Sequence, residues 1–275
     1  MDYSQYNHEK TGYLKEDFRL FHINDRTKKE FSYHYHDFHK IIVFISGKVT
    51  YHIEGKAYHL KPRDILLVSQ GAIHKPEIDP SIPYERYIFW IRDDISRPEL
   101  NTCFQKANDR SFNLVRADSG LQEHLKDLLP EIEETFQNIC FGDEALKEAL
   151  FTQFMVYINR IFLQTSTSPD KKAYSSDSQV EQLLKYINRN LPEDLSIDQL
   201  AERFYFSKYH MMRKFKNETG YTIHNYITSK RLLMARSLIS QGTPVMKAAE
   251  KSGFRDYTTF VRSYKKQFGK APSCE

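Results

Sequence analysis

Two stretches near the C-terminal end repeat one pattern, and this pattern decides the fold of that region. The first is IDQLAERFYFSKYHMMRKFKNETG, residues 197–220, and the second is VMKAAEKSGFRDYTTFVRSYKKQFG, residues 245–269. Each copy predicts two helices joined by a short turn, the unit that places its second helix in the major groove of DNA. Two such units in tandem predict a protein that binds two successive segments of the groove.

The spacing between the two copies changes at the turn. Leu200-Ala201 recurs 48 residues later as Ala248-Ala249, whereas the residues after the turn recur 49 residues later. The pairs at the longer spacing are Arg213 and Arg262, Phe215 and Tyr264, and Gly220 and Gly269. We therefore expect the turn of the second unit to be one residue longer.

Capping residues and apolar spacing predict which side of the first reading helix faces outward. Ser196, with Gln199 three residues later, is a capping box for the scaffold helix, and Ser207 caps the reading helix. Met211 and Phe215 lie four residues apart and must face the core. The outward residues are Lys208, Tyr209, Met212, Arg213 and Lys216.

The second reading helix has the same design. Asp256 is its expected N-cap, and an apolar stripe faces the core. The inward residues are Phe260, Tyr264 and Phe268, and the outward residues are Tyr257, Thr258, Val261, Arg262 and Lys265. Both reading helices thus offer an arginine and a tyrosine to a partner.

One helix from Ile223 to about Ile239 is predicted between the units. Its roughly 17 residues span about 25 Å at about 1.5 Å per residue. A rod of this kind can hold two reading helices about one DNA turn, roughly 34 Å, apart. Lys230, Arg231 and Arg236 on it either reach phosphates or are solvated or salt-bridged surface residues.

The net charge of +4 is unevenly distributed along the chain. Residues 178–275 contain 17 Lys and Arg against 9 Asp and Glu, whereas residues 1–177 contain 23 against 27. A basic C-terminal part joined to a mildly acidic N-terminal part is typical of a protein in which one domain binds phosphates.

The N-terminal part has short apolar runs separated by turn residues from about residue 17 to residue 93. Ile41–Ile45 and Val49–Ile53 flank Ser46-Gly47, and Ile65–Val68 follows further along. This spacing predicts a small antiparallel β-sandwich or barrel. Helical spacing follows from Leu121 to Leu163 and is interrupted at Gly142-Asp143. The two helices would pack against the barrel or pair with a second subunit.

A polar stretch, residues 164–178, lacks an apolar stripe and predicts a linker. The expected architecture is a two-domain α+β protein. Residues 1–163 form the β-barrel domain with its flanking helices, and residues 179–275 form the all-α domain.

Cysteine usage and the apolar runs exclude several classes. Cys103, Cys140 and Cys274 are odd in number and widely spaced, which indicates neither a disulfide framework nor a zinc finger. No apolar run reaches the roughly 20 residues of a membrane helix, and the polar start resembles no secretory signal. We expect a cytoplasmic protein without membrane contact.

Residues 180–272 resemble the DNA-binding domain of the AraC/XylS family of bacterial transcription regulators. The motif falls on residues 207–220 and 253–272. The resemblance implies base contacts from Tyr209, Met212 and Arg213, and from Tyr257, Thr258, Thr259 and Arg262. The lysines expected to bind phosphates are Lys208, Lys216, Lys265 and Lys266.

Two residues depart from the family pattern. Met212 replaces a residue that is often polar, and its apolar side chain can meet a thymine methyl but cannot donate a hydrogen bond to a base. Tyr205 stands where the family often has glycine. A tyrosine at positive φ would be strained, so we expect the turn to differ locally.

The N-terminal part resembles the sugar-sensing cupin barrel of these regulators through residues 34–47, 55–64 and 71–74. In metal-binding cupins two histidines, a glutamate and a later histidine bind one ion. Here Lys40 takes the glutamate position and opposes a metal. His34, His36 and His74 could still hold zinc, bind an organic effector or be structural, and we assign no metal or cofactor.

An effector would bind inside the barrel, in a concave and mostly aromatic site. The motif resemblance favours His34 and His36 as inward residues over Tyr33 and Tyr35, which alternate with them. Tyr87 and Trp90 lie on opposite faces of one strand, and either side chain could stack on a sugar ring or be an ordinary core residue. Carbohydrate is the ligand class that the resemblance implies.

We therefore expect a transcription regulator, most simply an activator, that binds promoter DNA and senses a small molecule. We also expect it to form a homodimer and to contact RNA polymerase. One alternative is a metal-dependent cupin enzyme with an accessory helical domain. Another is a regulator whose barrel only dimerises.

Overall fold

The computed structural model describes residues 14, 16–26, 30–93, 95, 97–110, 112–116, 119–137, 140–164 and 174–274. The chain separates into two compact units, Met1–Ser175 and Ser176–Glu275. The division falls inside the stretch 164–178 that was predicted to be a linker. Residues 165–173 of that stretch lie outside the described residues.

The first unit is built around two sheets. Its strands are β1 Phe18–Asp25, β2 His39–Ser46, β3 Val49–Ile53, β4 Lys56–His59, β5 Asp64–Val68, β6 His74–Ile78, β7 Tyr84–Ile91, β8 Leu114–Arg116 and β9 Tyr174–Ser176. One sheet has the order β1-β7-β2-β5-β8 and the other the order β6-β3-β4-β9. The pairs β1/β7, β2/β7, β2/β5, β5/β8, β3/β4 and β3/β6 are antiparallel. The predicted antiparallel β domain is confirmed, and residues 174–176 of the predicted linker form strand β9.

Strand β2 is buried on both of its faces, which gives the five-stranded sheet two apolar cores. Ile41 and Val43 pack with the helices on one side. Ile42 and Phe44 pack into the space between the two sheets on the other side. This alternation follows from the two-residue period of a strand. The space between the sheets is the barrel interior.

Helices cover the outer face of the five-stranded sheet. They are a 3-10 helix Pro98–Asn101, α1 Thr102–Arg110, α2 Ser119–Gln137 and α3 Asp143–Gln164. Ile132 and Phe154 are fully buried there, and the Phe154 ring stacks on Phe89 at 4.0 Å between centroids. Of the two predicted arrangements for α2 and α3, the structure shows packing against the barrel. Helix α1 and strand β8 were not predicted.

The second unit is helical throughout its described length. Its helices are α4 Ser178–Arg189, α5 Ile197–Arg203, α6 Lys208–Thr219, α7 Ile223–Ser240, α8 Val245–Lys251 and α9 Tyr257–Phe268, followed by a 3-10 turn Pro272–Cys274. Both predicted helix-turn-helix units, α5/α6 and α8/α9, are confirmed. Helix α7 has 18 residues and contacts α6 and α9.

Across the described ranges, no helix combines the length and apolar character that crossing a bilayer requires. The three cysteines are free thiols, with Cys103 buried and the other two exposed.

Candidate nucleic-acid interface and barrel site

Helix α6 is anchored through one face and exposed on the other. The side chain of Ser207 accepts a hydrogen bond from the His210 amide, which caps the helix. Met211 and Phe215 are buried as predicted. Tyr209 is 71% exposed and the Arg213 guanidinium lies over its ring at 5.7 Å. The residues predicted to contact DNA, all exposed, are Lys208, Tyr209, Met212, Arg213 and Lys216.

Helix α9 repeats this arrangement with one difference. Asp256 accepts a hydrogen bond from the Thr259 amide at 2.6 Å, and Phe260 and Tyr264 are buried. Val261, predicted to project outward, is partly buried against the core that α9 shares with α7 and α8. The predicted DNA-contacting residues, all exposed, are Tyr257, Thr258, Thr259, Arg262, Lys265 and Lys266.

The turns before α6 and α9 share a left-handed residue. Tyr205 has φ 56° and Gly253, 48 residues later, has φ 86°. The expectation that Tyr205 changes the turn locally is wrong, because the tyrosine adopts the glycine conformation and leaves its side chain 97% exposed. In the first turn the N-cap Ser207 follows Phe206 directly. In the second turn Arg255 stands between Phe254 and the N-cap Asp256, so Arg255 is the additional residue.

The cations of α7 are engaged within the second unit. Arg231 donates from Nε to the Leu191 carbonyl at 2.7 Å and from Nη2 to the Glu193 carbonyl at 2.6 Å. It fastens α7 to the loop after α4 and is structural. Lys230 and Arg236 lie over aromatic rings at 5.3 and 5.0 Å from the centroids. The structural interpretation is therefore favoured over phosphate contact for Arg231.

Two lysines near the first reading helix have acidic partners that the sequence did not indicate. Lys208 Nζ lies 2.6 Å from Asp198 Oδ1, and Lys214 Nζ lies 2.8 Å from Asp177 Oδ2. Asp177 also caps α4. The Lys208 pair is exposed, so it contributes little to stability. Lys214 instead fixes α6 to the start of α4.

The three predicted histidines come together in the first unit. One ring nitrogen of each of His34, His36 and His74 lies within 4.8 Å of the others. An antiparallel bridge joins His34 to His74, with N–O distances of 3.1 and 2.8 Å. Three histidines at this spacing can bind a cation or donate hydrogen bonds to a ligand.

Lys40 contacts two of these three histidines. Its Nζ lies 3.2 Å from His36 Nε2 and 3.4 Å from His74 Nε2. Burial, and the positive charge of Arg86, lower the pKa of Lys40 to about 7. Burial followed by the charge of Lys40 holds the pKa of His36 and His74 well below the usual range. The ammonium group thus stands at the place where a metal ion would compete for the same imidazole nitrogens.

Trp90 and Tyr87 lie on opposite faces of the sheet, as their parity predicted. Trp90 pairs with Lys40 across β7 and β2 and packs against the barrel interior. Tyr87 packs with the helices, donates from its hydroxyl to Glu133 Oε2 at 3.1 Å and stacks on His22. The assignment of Tyr87 as an interior ligand contact is therefore wrong.

A cavity of about 920 Å³ lies elsewhere in the first unit. Its apolar residues include Phe18, Phe136 and Phe151, and its charged residues include Arg97 and Glu148. None of the residues predicted for the barrel site lines it.

Two family models match the chain. The model of the AraC-like ligand binding domain matches residues 20–155, and that of the helix-turn-helix domain matches residues 200–274. Among curated proteins, the chain is 22% identical over 246 residues to the HTH-type transcriptional activator RhaS of Escherichia coli strain SMS-3-5. The match covers 88% of this chain and 86% of RhaS.

Solved structures with similarity include the C-terminal domain of AraT, a response regulator from Geobacillus stearothermophilus. It has 26% identity and a TM-score of 0.35, over 36% of this chain and 83% of that one. ToxT from Vibrio cholerae has 16% identity and a TM-score of 0.36, over 94% of this chain and 97% of that one. On the two matching domain models, the chain belongs to the AraC family of transcription regulators.

Proposed function

We propose that this protein activates transcription at specific promoters in response to a small molecule bound inside its barrel. The observation that carries the DNA-binding part is the pair of capped helices, α6 and α9. Each is buried along one face and presents an exposed arginine and tyrosine on the other. Arginine in the major groove can bind guanine through two hydrogen bonds, which contributes about 1–3 kcal/mol of discrimination.

The residues proposed to contact DNA fall into two groups, those that select bases and those that bind phosphates. Arg213 and Arg262 are proposed to select bases, and Met212 to meet a thymine methyl. The lysines Lys208, Lys216, Lys265 and Lys266 are proposed to bind phosphates, which supplies affinity and salt dependence without sequence choice. Action on promoter DNA in the cytoplasm, with RNA polymerase as a partner, follows from the activator role.

The effector site is proposed at His34, His36, His74 and Trp90. These residues combine aromatic surface with a few polar groups, as small-molecule sites do. The family resemblance suggests a carbohydrate. The effector would act by binding more tightly to one arrangement of the two units than to another. The difference between these two affinities limits how far binding can shift the equilibrium between the arrangements.

A homodimer through α2 and α3 is also proposed. The inner faces of these helices are buried against the sheet, so the contact would use exposed apolar residues such as Leu146 and Leu163. Sedimentation at micromolar concentration, with and without DNA, tests this. A monomer under both conditions contradicts it.

A nuclease-protection experiment on the promoter fragments that the protein retains tests the central function. Two units reading successive groove segments should protect at least two contacts about 10 bp apart on one face of the duplex. Protection of a single segment shorter than one turn would contradict tandem reading. A metal analysis separates the enzyme alternative, because stoichiometric iron, manganese or zinc bound by the three histidines would favour cupin chemistry.

A further inference from the structure

Lys40 is a buried cation on the interior side of the barrel. The residue is 8% exposed and lies opposite Trp90 in the β2/β7 pairing. Among the residues that the structure describes, its hydrogen-bonding partners are His36 and His74, and no carboxylate forms an ion pair with it. The neighbouring Arg86 does have such a partner, because its Nη1 lies 2.6 Å from Asp25 Oδ1. A buried charge without a counter-ion is costly, so an anion at Lys40 would be strongly favoured.

The hydrogen-bonding groups around Lys40 have unused donors. His74 Nδ1 lies 2.8 Å from the Ala72 carbonyl and must donate to it, so His74 Nε2 accepts from Lys40. His36 Nε2 also accepts from Lys40, which places the hydrogen of the neutral ring on Nδ1. That Nδ1 atom is buried without a partner, and so is Trp90 Nε1.

Three donors are therefore available: His36 Nδ1–H, Trp90 Nε1–H and the third hydrogen of the Lys40 ammonium group. A buried donor without an acceptor is destabilising, so each of these groups favours a ligand that brings an acceptor. A ligand that completes this set must bring acceptors, and one negative charge balances Lys40. A carboxylate meets both requirements, since its two oxygens accept only and it carries a single charge. A phosphate monoester would leave a second charge uncompensated.

Aromatic rings pack next to these donors. The Phe38 ring stacks on His36 at 4.6 Å between centroids and lies 4.7 Å from the Trp90 ring. Tyr51 stacks on His74 at 5.9 Å. Such rings offer apolar surface to the carbon skeleton of a ligand whose charged end meets Lys40.

We propose that the barrel binds an organic carboxylate, whose carboxylate group contacts Lys40 Nζ and Trp90 Nε1, while His36 Nδ1 donates to a different acceptor of the ligand. This inference rests on the proposed effector site and replaces the neutral sugar with an acidic ligand such as a sugar acid. It also gives the lysine at the metal-ligand position a binding role.

Trp90 is the single tryptophan of the chain, so its fluorescence reports directly on this site. The full-length protein is titrated with D-glucuronate, D-galacturonate and benzoate, and with the matched neutral compounds D-glucose, D-galactose and benzyl alcohol. Glucose 6-phosphate is included as a ligand that carries two negative charges. Fluorescence and calorimetry follow each titration. We expect saturable binding of at least one carboxylate, with its neutral partner at least tenfold weaker.

Variants assign the binding to this site. Lys40→Met removes the charge, Trp90→Phe removes one donor and keeps a ring, and Lys48→Met removes an exposed lysine paired with Asp79. Lys40→Met should weaken the carboxylate at least tenfold and Trp90→Phe severalfold in calorimetry, whereas Lys48→Met should not change the affinity.

The outcomes separate this inference from the proposed function. Tighter binding of a neutral sugar or of the phosphate ester overturns the carboxylate and leaves effector sensing intact. Equal carboxylate affinity in the wild type and Lys40→Met also overturns it. If the protein binds promoter fragments but none of these compounds, the carboxylate site is rejected. The alternative in which the barrel serves only for dimerisation is then favoured.

Discussion

Tyr205 and Gly253 hold equivalent places in the two helix-turn-helix units and share a left-handed backbone, with φ of 56° and 86°. Their surroundings differ. A Cβ on Gly253 would lie 2.6 Å from the Leu191 carbonyl oxygen and 2.9 Å from Arg231 Nε, whereas the Tyr205 side chain is almost fully exposed. The same turn therefore requires glycine in one unit and tolerates a strained residue in the other.

Replacing Tyr205 with glycine should stabilise the second unit. A left-handed conformation costs a residue with a Cβ roughly 1–2 kcal/mol, and the greater freedom of glycine in the unfolded chain offsets part of the gain. We expect the free energy of unfolding to rise by about 0.5–1 kcal/mol in urea denaturation. The matched change Gly253→Ala should lower it by about 2 kcal/mol or more. Equal effects at the two positions would contradict this account.

Lys40 should make stability depend on pH in a defined window. Its pKa is about 7 in the folded protein, against an ordinary value of 10.5. Between these values the unfolded chain binds more protons, so stability rises with pH, and the destabilisation by Lys40 is complete below about pH 7. The gain from pH 7 to pH 10 should be on the order of 3 kcal/mol.

The comparison of urea denaturation in the wild type and Lys40→Met isolates this effect, because other groups titrate in both proteins. The rise should be absent from Lys40→Met and retained in Lys48→Met. A wild type and a Lys40→Met variant with parallel pH profiles would show that Lys40 is not deprotonated on folding.

Arg231 should affect stability more than DNA binding. Its two hydrogen bonds to the Leu191 and Glu193 carbonyls hold α7 against the loop after α4. Loss of charged hydrogen bonds in Arg231→Met should lower the free energy of unfolding by about 2 kcal/mol. Promoter affinity, measured where the variant is folded, should stay within about twofold. A reduced salt slope of binding would instead identify Arg231 as a phosphate contact.

Lys216 and Lys265 should contribute affinity without specificity. Each lies on the exposed face of a reading helix. Replacing both with glutamine should weaken binding to promoter and competitor DNA alike and reduce the slope of log affinity against log salt by about 2. Measurements by fluorescence anisotropy at several salt concentrations provide the slope. Loss of affinity for the promoter alone would assign these lysines to base recognition.

The helical unit was predictable because its signals are local. Ser196, Ser207 and Asp256 cap their helices as their sequence positions indicate, and the four-residue apolar spacing sets the buried faces. The φ of Tyr205 was not predictable from propensity, because the packing of the turn overrides the cost of its Cβ.

The barrel was predictable in class but not in detail. Parity placed Tyr87 and Trp90 on opposite faces, yet both faces of this sheet are buried, so the pattern could not show which one lines the interior. Strand β8 forms through the long-range pairing of Leu114 with Leu66, for which the sequence has no local signal. The approach of Lys40 Nζ to two imidazole rings depends on the same long-range geometry.

The most direct test of the central claim is the double variant Arg213→Ala/Arg262→Ala in a mobility-shift titration. Promoter and unrelated competitor DNA are compared by their affinity ratio. Lys185→Ala/Arg189→Ala on α4 is the control with the same loss of charge, and circular dichroism verifies the fold of both. With about 1–3 kcal/mol from each arginine, the ratio should fall by about 30-fold or more in the double variant and remain unchanged in the control. An undiminished ratio in the folded double variant would contradict reading of DNA by α6 and α9.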